Sequence, residues 1–130
     1  MPSLTGFHHV ALTVTDVARS ARWYCELLGM EEVWSGDDDS VSFRVLAHPA
    51  TGTVLGLRQY AAGPGDRFDE LRTGLDHAAF GVSSADELAA WEDVLRVSDI
   101  PFTPATVTPI GTVIVFRDPD DIQLEFWLPS

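Results

Sequence analysis

The chain has 130 residues, 45% of them hydrophobic, with four Trp and seven Phe, enough to bury a core of its own and make one compact domain. Twenty acidic residues against eight basic ones leave a net charge of −12, which repels phosphate backbones and anionic lipid and argues against nucleic-acid and membrane partners. No apolar run approaches the ~20 residues of a spanning helix, the opening MPSLTGFHHV lacks the parts of a secretory leader, and the single Cys25 permits no internal disulfide, so a soluble cytoplasmic chain is expected.

The first element expected is a β-rich stretch over Phe7 to Val14. Asp16 then reads as a helix N-cap, Val17, Ala21, Tyr24 and Leu28 recur at helical spacing, and Gly29 supplies the stop. Three β-type runs follow: Glu31 to Ser35, Val41 to His48 and Thr53 to Tyr60, the first two flanking a turn at Gly36-Asp37-Asp38-Asp39. Residues 61–74, rich in Gly, Pro and charge, read as a linker. Beyond it comes a second β-rich opening at Leu75 to Val82, then a helix with Ser84 and Glu87 as capping box and Leu88, Trp91 and Leu95 as its apolar stripe. Strands at Phe102 to Val107, Thr112 to Arg117 and Ile122 to Trp127 complete the chain, separated by Pro109-Ile110-Gly111 and Asp118-Pro119-Asp120-Asp121.

The two halves repeat one another. An offset of 68 aligns His9 with His77, Val14 with Val82 and Trp23 with Trp91, and an offset of 69 aligns Leu55-Gly56-Leu57-Arg58 with Leu124-Glu125-Phe126-Trp127. Each half therefore reads βαβββ: module 1 over residues 7–60, the linker over 61–74 and module 2 over 75–128, within one domain spanning 1–130.

Strand alternation selects His9, not His8, as the match to His77, and it puts Gln123, Glu125 and Trp127 on one face of the last strand. A carboxylate between apolar neighbours needs a partner. For Glu125 that partner is either an Arg such as Arg58 or Arg117, or a divalent ion shared with His9 and His77 as a two-His, one-carboxylate triad. A half-buried, hydrogen-bonded role is the alternative for each imidazole. His8 and His48 read as surface or loop residues, Cys25, Trp23 and Trp91 as packing residues, and the Asp37–Asp39 run as a hairpin tip without the spacing of a calcium loop. All eight basic residues are Arg, so Schiff-base chemistry on a Lys side chain and a Walker lysine are excluded. No GxGxxG, GxSxG, HExxH or paired CxxC occurs.

The segments HHVALTV, WYCELLG, GLDHAAFGV and FRDPDDIQLEFW, spread over nearly the whole chain, resemble the vicinal oxygen chelate superfamily, which groups glyoxalases, bleomycin resistance proteins and extradiol dioxygenases. The resemblance implies an α+β fold of two pseudo-symmetric βαβββ modules whose strands form a curled mixed sheet around a cavity. It also implies His9, His77 and Glu125 as ligands of a divalent metal, with Mn, Fe, Ni, Co and Zn all open. Within the family, glyoxalase I and methylmalonyl-CoA epimerase use a fourth ligand where this chain has Gly56, and fosfomycin thiol transferases carry Thr where it has Ala11. The familiar extradiol dioxygenases are about twice as long, and bleomycin-resistance-type binders generally lack the ligands. The expectation is a metal-dependent lyase, isomerase or oxygenase acting on a small molecule with vicinal oxygens. The alternative is a metal-free protein that sequesters a drug or natural product. Arg58 and Tyr60 share the phase of Gly56, which makes Arg58 a candidate anion clamp and Tyr60 a candidate proton donor or acceptor. Thr13 and Trp127 are candidate substrate contacts, whereas Phe80, in opposite phase to His77, reads as core. Sheet edges in each module favour a homodimer, and in many family members modules of different chains build each site.

Overall fold

The computed structural model describes residues 1–130, which divide into two compact units, Met1–Asp66 and Arg67–Ser130. The first holds β1 (Val10–Thr13), α1 (Val17–Leu28), β2 (Glu31–Asp37), β3 (Val41–Ala47) and β4 (Val54–Tyr60). The second holds β5 (Ala78–Gly81), α2 (Ala85–Val97), β6 (Phe102–Thr108), β7 (Gly111–Arg117) and β8 (Gln123–Pro129). The α+β class and the duplicated βαβββ order are as expected, with one four-stranded mixed sheet in each unit. The strand orders are β1-β4-β3-β2 and β5-β8-β7-β6, and in both the opening strand lies parallel to the closing one. A parallel neighbour cannot be reached through a hairpin, so each chain half carries a helix across its sheet and returns by two antiparallel turns.

Local chemistry sets the helix ends. The Asp16 carboxylate accepts the Arg19 amide at 3.0 Å, and Gly29 ends α1 at φ 69°, where its amide donates to the Cys25 carbonyl. Ser84 Oγ accepts the Glu87 amide at 3.1 Å and starts α2. Each helix buries its stripe on one face of its own sheet. Tyr24, Val17 and Leu28 of α1 are buried together with Leu12, Leu46, Leu55 and Leu57, and Leu88 and Leu95 of α2 with Ile114, Phe116, Leu124 and Phe126. Trp91 is stacked on Phe126 with ring centroids 4.3 Å apart, and Trp23 meets Tyr24 edge-on at 4.8 Å.

Several strand ends differ from expectation. The opening strands are the shortest, Val10–Thr13 against the stretch Phe7 to Val14 and Ala78–Gly81 against Leu75 to Val82, so His9 and His77 lie just ahead of them. β2 runs on through Gly36 and Asp37, because the turn is confined to Asp38, Asp39 and Ser40 and is held by Asp38, its Oδ1 accepting the amides of Ser40 (2.7 Å) and Val41 (2.9 Å). β6 extends to Thr108 with an irregularity between Thr103 and Thr106, where Pro104 has no amide to give and the Ala105 amide turns to Glu92 Oε1 at 2.7 Å. β8 starts at Gln123 and reaches Pro129; the short β5 pairs only as far as Trp127, so Pro129 occupies a stretch with one neighbour, where a missing amide costs nothing. The preceding turn is held by the buried Asp118, whose Oδ1 accepts the amides of Asp120 (2.9 Å) and Ile122 (2.8 Å), and this aligns β8 with β7.

Candidate functional site

Each sheet has a second face, directed away from its helix; Thr13, Arg58, Tyr60, Glu125 and Trp127 lie there, and His9 and His77 immediately precede the opening strands. In the second unit, β8 contributes Gln123, Glu125 and Trp127, in register with Arg117, Val115 and Val113 of β7. Glu125 is also opposite Ala79 of β5, so its carboxylate stands between Val115 and Ala79 and is only 14% exposed. It faces His77, whose Nε2 lies 3.4 Å from Glu125 Oε2. Arg117 is engaged elsewhere, bidentate to Glu70 at 3.0 and 3.1 Å. The pair holds the Glu70 carboxyl well down, at about 2, first through the hydrogen bond from Arg117, and raises the Arg117 guanidinium through the same bond.

A chain of polar groups stands behind His77. Asp76 Oδ1 is 2.7 Å from His77 Nδ1, Gln123 Nε2 donates to the same Oδ1 at 3.1 Å, and Arg117 donates to Gln123 Oε1 at 3.1 Å. A carboxylate only accepts, so Nδ1 carries the proton, and in the neutral ring Nε2 then presents a lone pair on the side of Glu125. Two donors bound to one ion at about 2.1 Å with angles of about 90–110° lie roughly 3.0–3.4 Å apart. The His77–Glu125 pair matches that spacing, and imidazole with carboxylate suits a divalent first-row ion.

In the first unit, His8 and His9 both precede β1 and are exposed, so strict alternation does not separate them: their Nδ1 atoms are 2.8 Å apart and the rings meet edge-on. The His8 ring occupies His9 Nδ1, and either imidazole can be the donor of that bond; with His9 donating, its Nε2 keeps a lone pair for another partner. Thr13, Gly56, Arg58 and Tyr60 share the face away from α1, with Thr13 in register with Arg58 and Ala11 with Gly56. Beside His9 the same face forms a hollow of about 200 Å³. The structure thus brings His77 and Glu125 together in one unit and puts His9, Thr13, Arg58 and Tyr60 in the other; neither unit by itself gathers three metal-binding side chains.

Other candidates find ordinary roles. His48 Nδ1 accepts the Thr51 amide at 3.2 Å in a turn. Arg44 holds Asp37 below the usual carboxylate range, and the amides of Val41 and Ser40 do the same for Asp38, so these acids belong to the hairpin. Burial, reinforced by Glu32, Glu26 and Glu31, pushes the Cys25 thiol up and makes it a poor nucleophile. Phe80, expected in the core, is only half-buried, its ring 6.4 Å from that of the buried Phe126. Sequence reasoning gave no role to Asp76, Trp34 or Phe43, and placed Gln123 on the face of Glu125 without assigning it one. The position of Asp76 next to His77, and of Gln123 two residues before Glu125 on one strand face, were the available signals.

The family model for the glyoxalase/bleomycin resistance protein/dioxygenase superfamily matches residues 6–126. The chain belongs to this superfamily. Among solved structures, a glyoxylase/bleomycin resistance protein/dioxygenase domain from Frankia sp. EAN1pec is 41% identical, with 98% of this chain and 100% of that one covered and a TM-score of 0.91. The fold is shared by a glyoxalase family protein from Enterococcus faecalis (24% identity, 95% and 97% coverage, TM-score 0.78). It is shared too by a mutant of the fosfomycin resistance protein FosX from Listeria monocytogenes in complex with Mn(II) and 1S,2S-dihydroxypropylphosphonic acid (17% identity, 98% and 93% coverage, TM-score 0.75). A comparison with curated protein sequences returned no match. No helix is long and apolar enough to cross a membrane.

Proposed function

We propose that the protein is a metal-dependent enzyme in which His9, His77 and Glu125 hold one divalent ion for a small substrate with adjacent oxygens. The observation that carries this is the His77 Nε2 to Glu125 Oε2 spacing of 3.4 Å, with Asp76 engaged on the far nitrogen of His77. The third ligand, His9, comes from the other βαβββ module. A FosX structure holding Mn(II) beside a vicinal dihydroxy compound supports the choice of cofactor and substrate chemistry. A bound ion with open positions supplies Lewis acidity to such oxygens. The chain's own side chains do the rest. Arg58 holds a negative group of the substrate, Tyr60 Oη gives or takes the proton, and Thr13 and Trp127 contact the substrate body. The protein works as a cytoplasmic homodimer.

Elemental analysis after separate incubation with Mn, Fe, Ni, Co and Zn tests this reading. About one ion per chain is expected, lost in His77→Ala and in Glu125→Ala; no ion from any of the five overturns it. The apolar hollow of the first sheet favours a second reading, a metal-free protein that sequesters a natural product, and that reading requires stoichiometric ligand binding without turnover.

A further inference from the structure

Gly56 and Glu125 hold equivalent places, the one in register with Ala11 and the other with Ala79. Where the second sheet carries a carboxylate, the first has no side chain. A Cβ built on Gly56 would lie 3.1 Å from the Ala11 Cβ, so this pair forms a floor without bulk. Beside it across the same sheet lie Val45, in register with Gly56, and then Trp34, in register with Val45; Trp34 meets Phe43 edge-to-face with ring centroids 4.8 Å apart. Trp34 keeps 65% of its surface exposed although it faces an apolar hollow. An apolar cavity of about 150 Å³ suffices for a benzene ring, and this hollow encloses about 200 Å³.

Its charge runs against that of the chain. With twenty acidic residues in the sequence, none lines the hollow, and two guanidinium groups do. Arg44 is neutralised by Asp37 at 2.9 Å and Glu32 at 3.3 Å. Arg58 has no carboxylate; it lies over the Phe43 ring, 5.4 Å from the centroid. A cation stacked on one aromatic ring at the rim of a ring-sized apolar hollow matches a ligand with a flat apolar body and an anionic head.

We propose that this hollow binds a small aromatic carboxylate, its ring between Trp34, Phe43 and the Gly56–Ala11 floor and its carboxylate paired with Arg58. The inference rests on the reading of this face as the substrate face and names the substrate class. It predicts an anionic ligand, opposite to what the net charge of the whole chain invites.

The test uses EDTA-treated full-length protein and three probes: benzoate, its uncharged counterpart benzamide, and acetate, the head without the ring. Two-dimensional NMR follows the Trp34 indole N–H and the Arg58 Nε–H during titration. Benzoate is expected to shift both, with benzamide and acetate each at least about tenfold weaker. Arg58→Gln should reduce benzoate to the level of benzamide, and Trp34→Ala should weaken both ring compounds. Gly56→Leu should abolish binding, and the two exposed-residue variants serve if Gly56→Leu does not fold. Equal affinity for benzoate and benzamide, an unchanged titration in Arg58→Gln, or shifts confined to other residues overturns the proposal. So do Trp34 shifts that follow protein concentration instead of benzoate, which would show the face covered by a second copy. No metal is present, so the outcome is separable from metal loading: benzoate binding with no metal uptake leaves the hollow standing and removes the metal enzyme.

Discussion

Both proposed imidazole ligands are gripped at Nδ1 by the residue before them, His8 for His9 and Asp76 for His77, at 2.8 and 2.7 Å. Such outer groups fix the ring and its tautomer, and their loss typically lowers metal affinity about 10–100-fold. Asp76→Ala should therefore raise the Mn(II) dissociation constant by that factor, read by titration. The unfolding temperature of the metal-free protein should hardly move, because the Asp76 side chain is 66% exposed. An unchanged dissociation constant would assign Asp76 to the surface. Glu125 was legible in the sequence as a carboxylate in need of a partner, and its strand phase placed it on one face with Gln123 and Trp127. Which partner it takes was not legible, since phase gives a face and no more. Arg117 shares that face yet is drawn to Glu70, a residue of the stretch read as a linker.

Elements with local codes were read closely, and those that depend on neighbouring strands were not. Asp16, Gly29 and Ser84 cap through atoms within a few residues of themselves, so sequence spacing suffices to find them. Ser84→Ala should destabilise the protein by about 1 kcal/mol in denaturant unfolding, the usual cost of a lost N-cap. The register shifts between Glu32 and Trp34 of β2 and between Thr103 and Thr106 of β6, and the run of β8 to Pro129, depend on which strand lies alongside, a fact absent from any short window. The Glu70–Arg117 pair likewise ties distant positions together and makes a pH prediction. Its carboxyl titrates at about 2 in the folded chain against an ordinary 4.5, so the stabilisation is complete above about pH 4.5 and disappears as pH falls towards 2. Thermal unfolding at stepped pH should show wild type losing its advantage over Glu70→Gln across that window. Parallel curves for the two proteins would mean that solvent screens the pair.

At the scale of the whole molecule, duplication was visible because the two βαβββ modules keep His9 and His77 in matching places, while Gly56 and Glu125 show how the copies differ: one sheet carries a carboxylate, the other a hollow. A site that needs His9 from the first module and His77 with Glu125 from the second requires two modules to meet, in one chain or across a dimer. Sedimentation equilibrium at micromolar concentration should give twice the 14.2 kDa chain mass. Mixed dimers then decide how the modules are shared. His9→Ala and Glu125→Ala each destroy every site in a pure preparation. If a site takes His9 from one chain and Glu125 from the other, a mixed dimer has one site lacking both residues and one site intact. Refolding the two variants together at equal amounts should then restore metal binding to about one ion per mixed dimer, and the same fraction of any activity. If all three ligands belong to one chain, each chain of the mixed dimer stays defective and nothing returns. Restoration is the expected result, because each module has sheet edges and a face away from its helix through which a second chain can complete it.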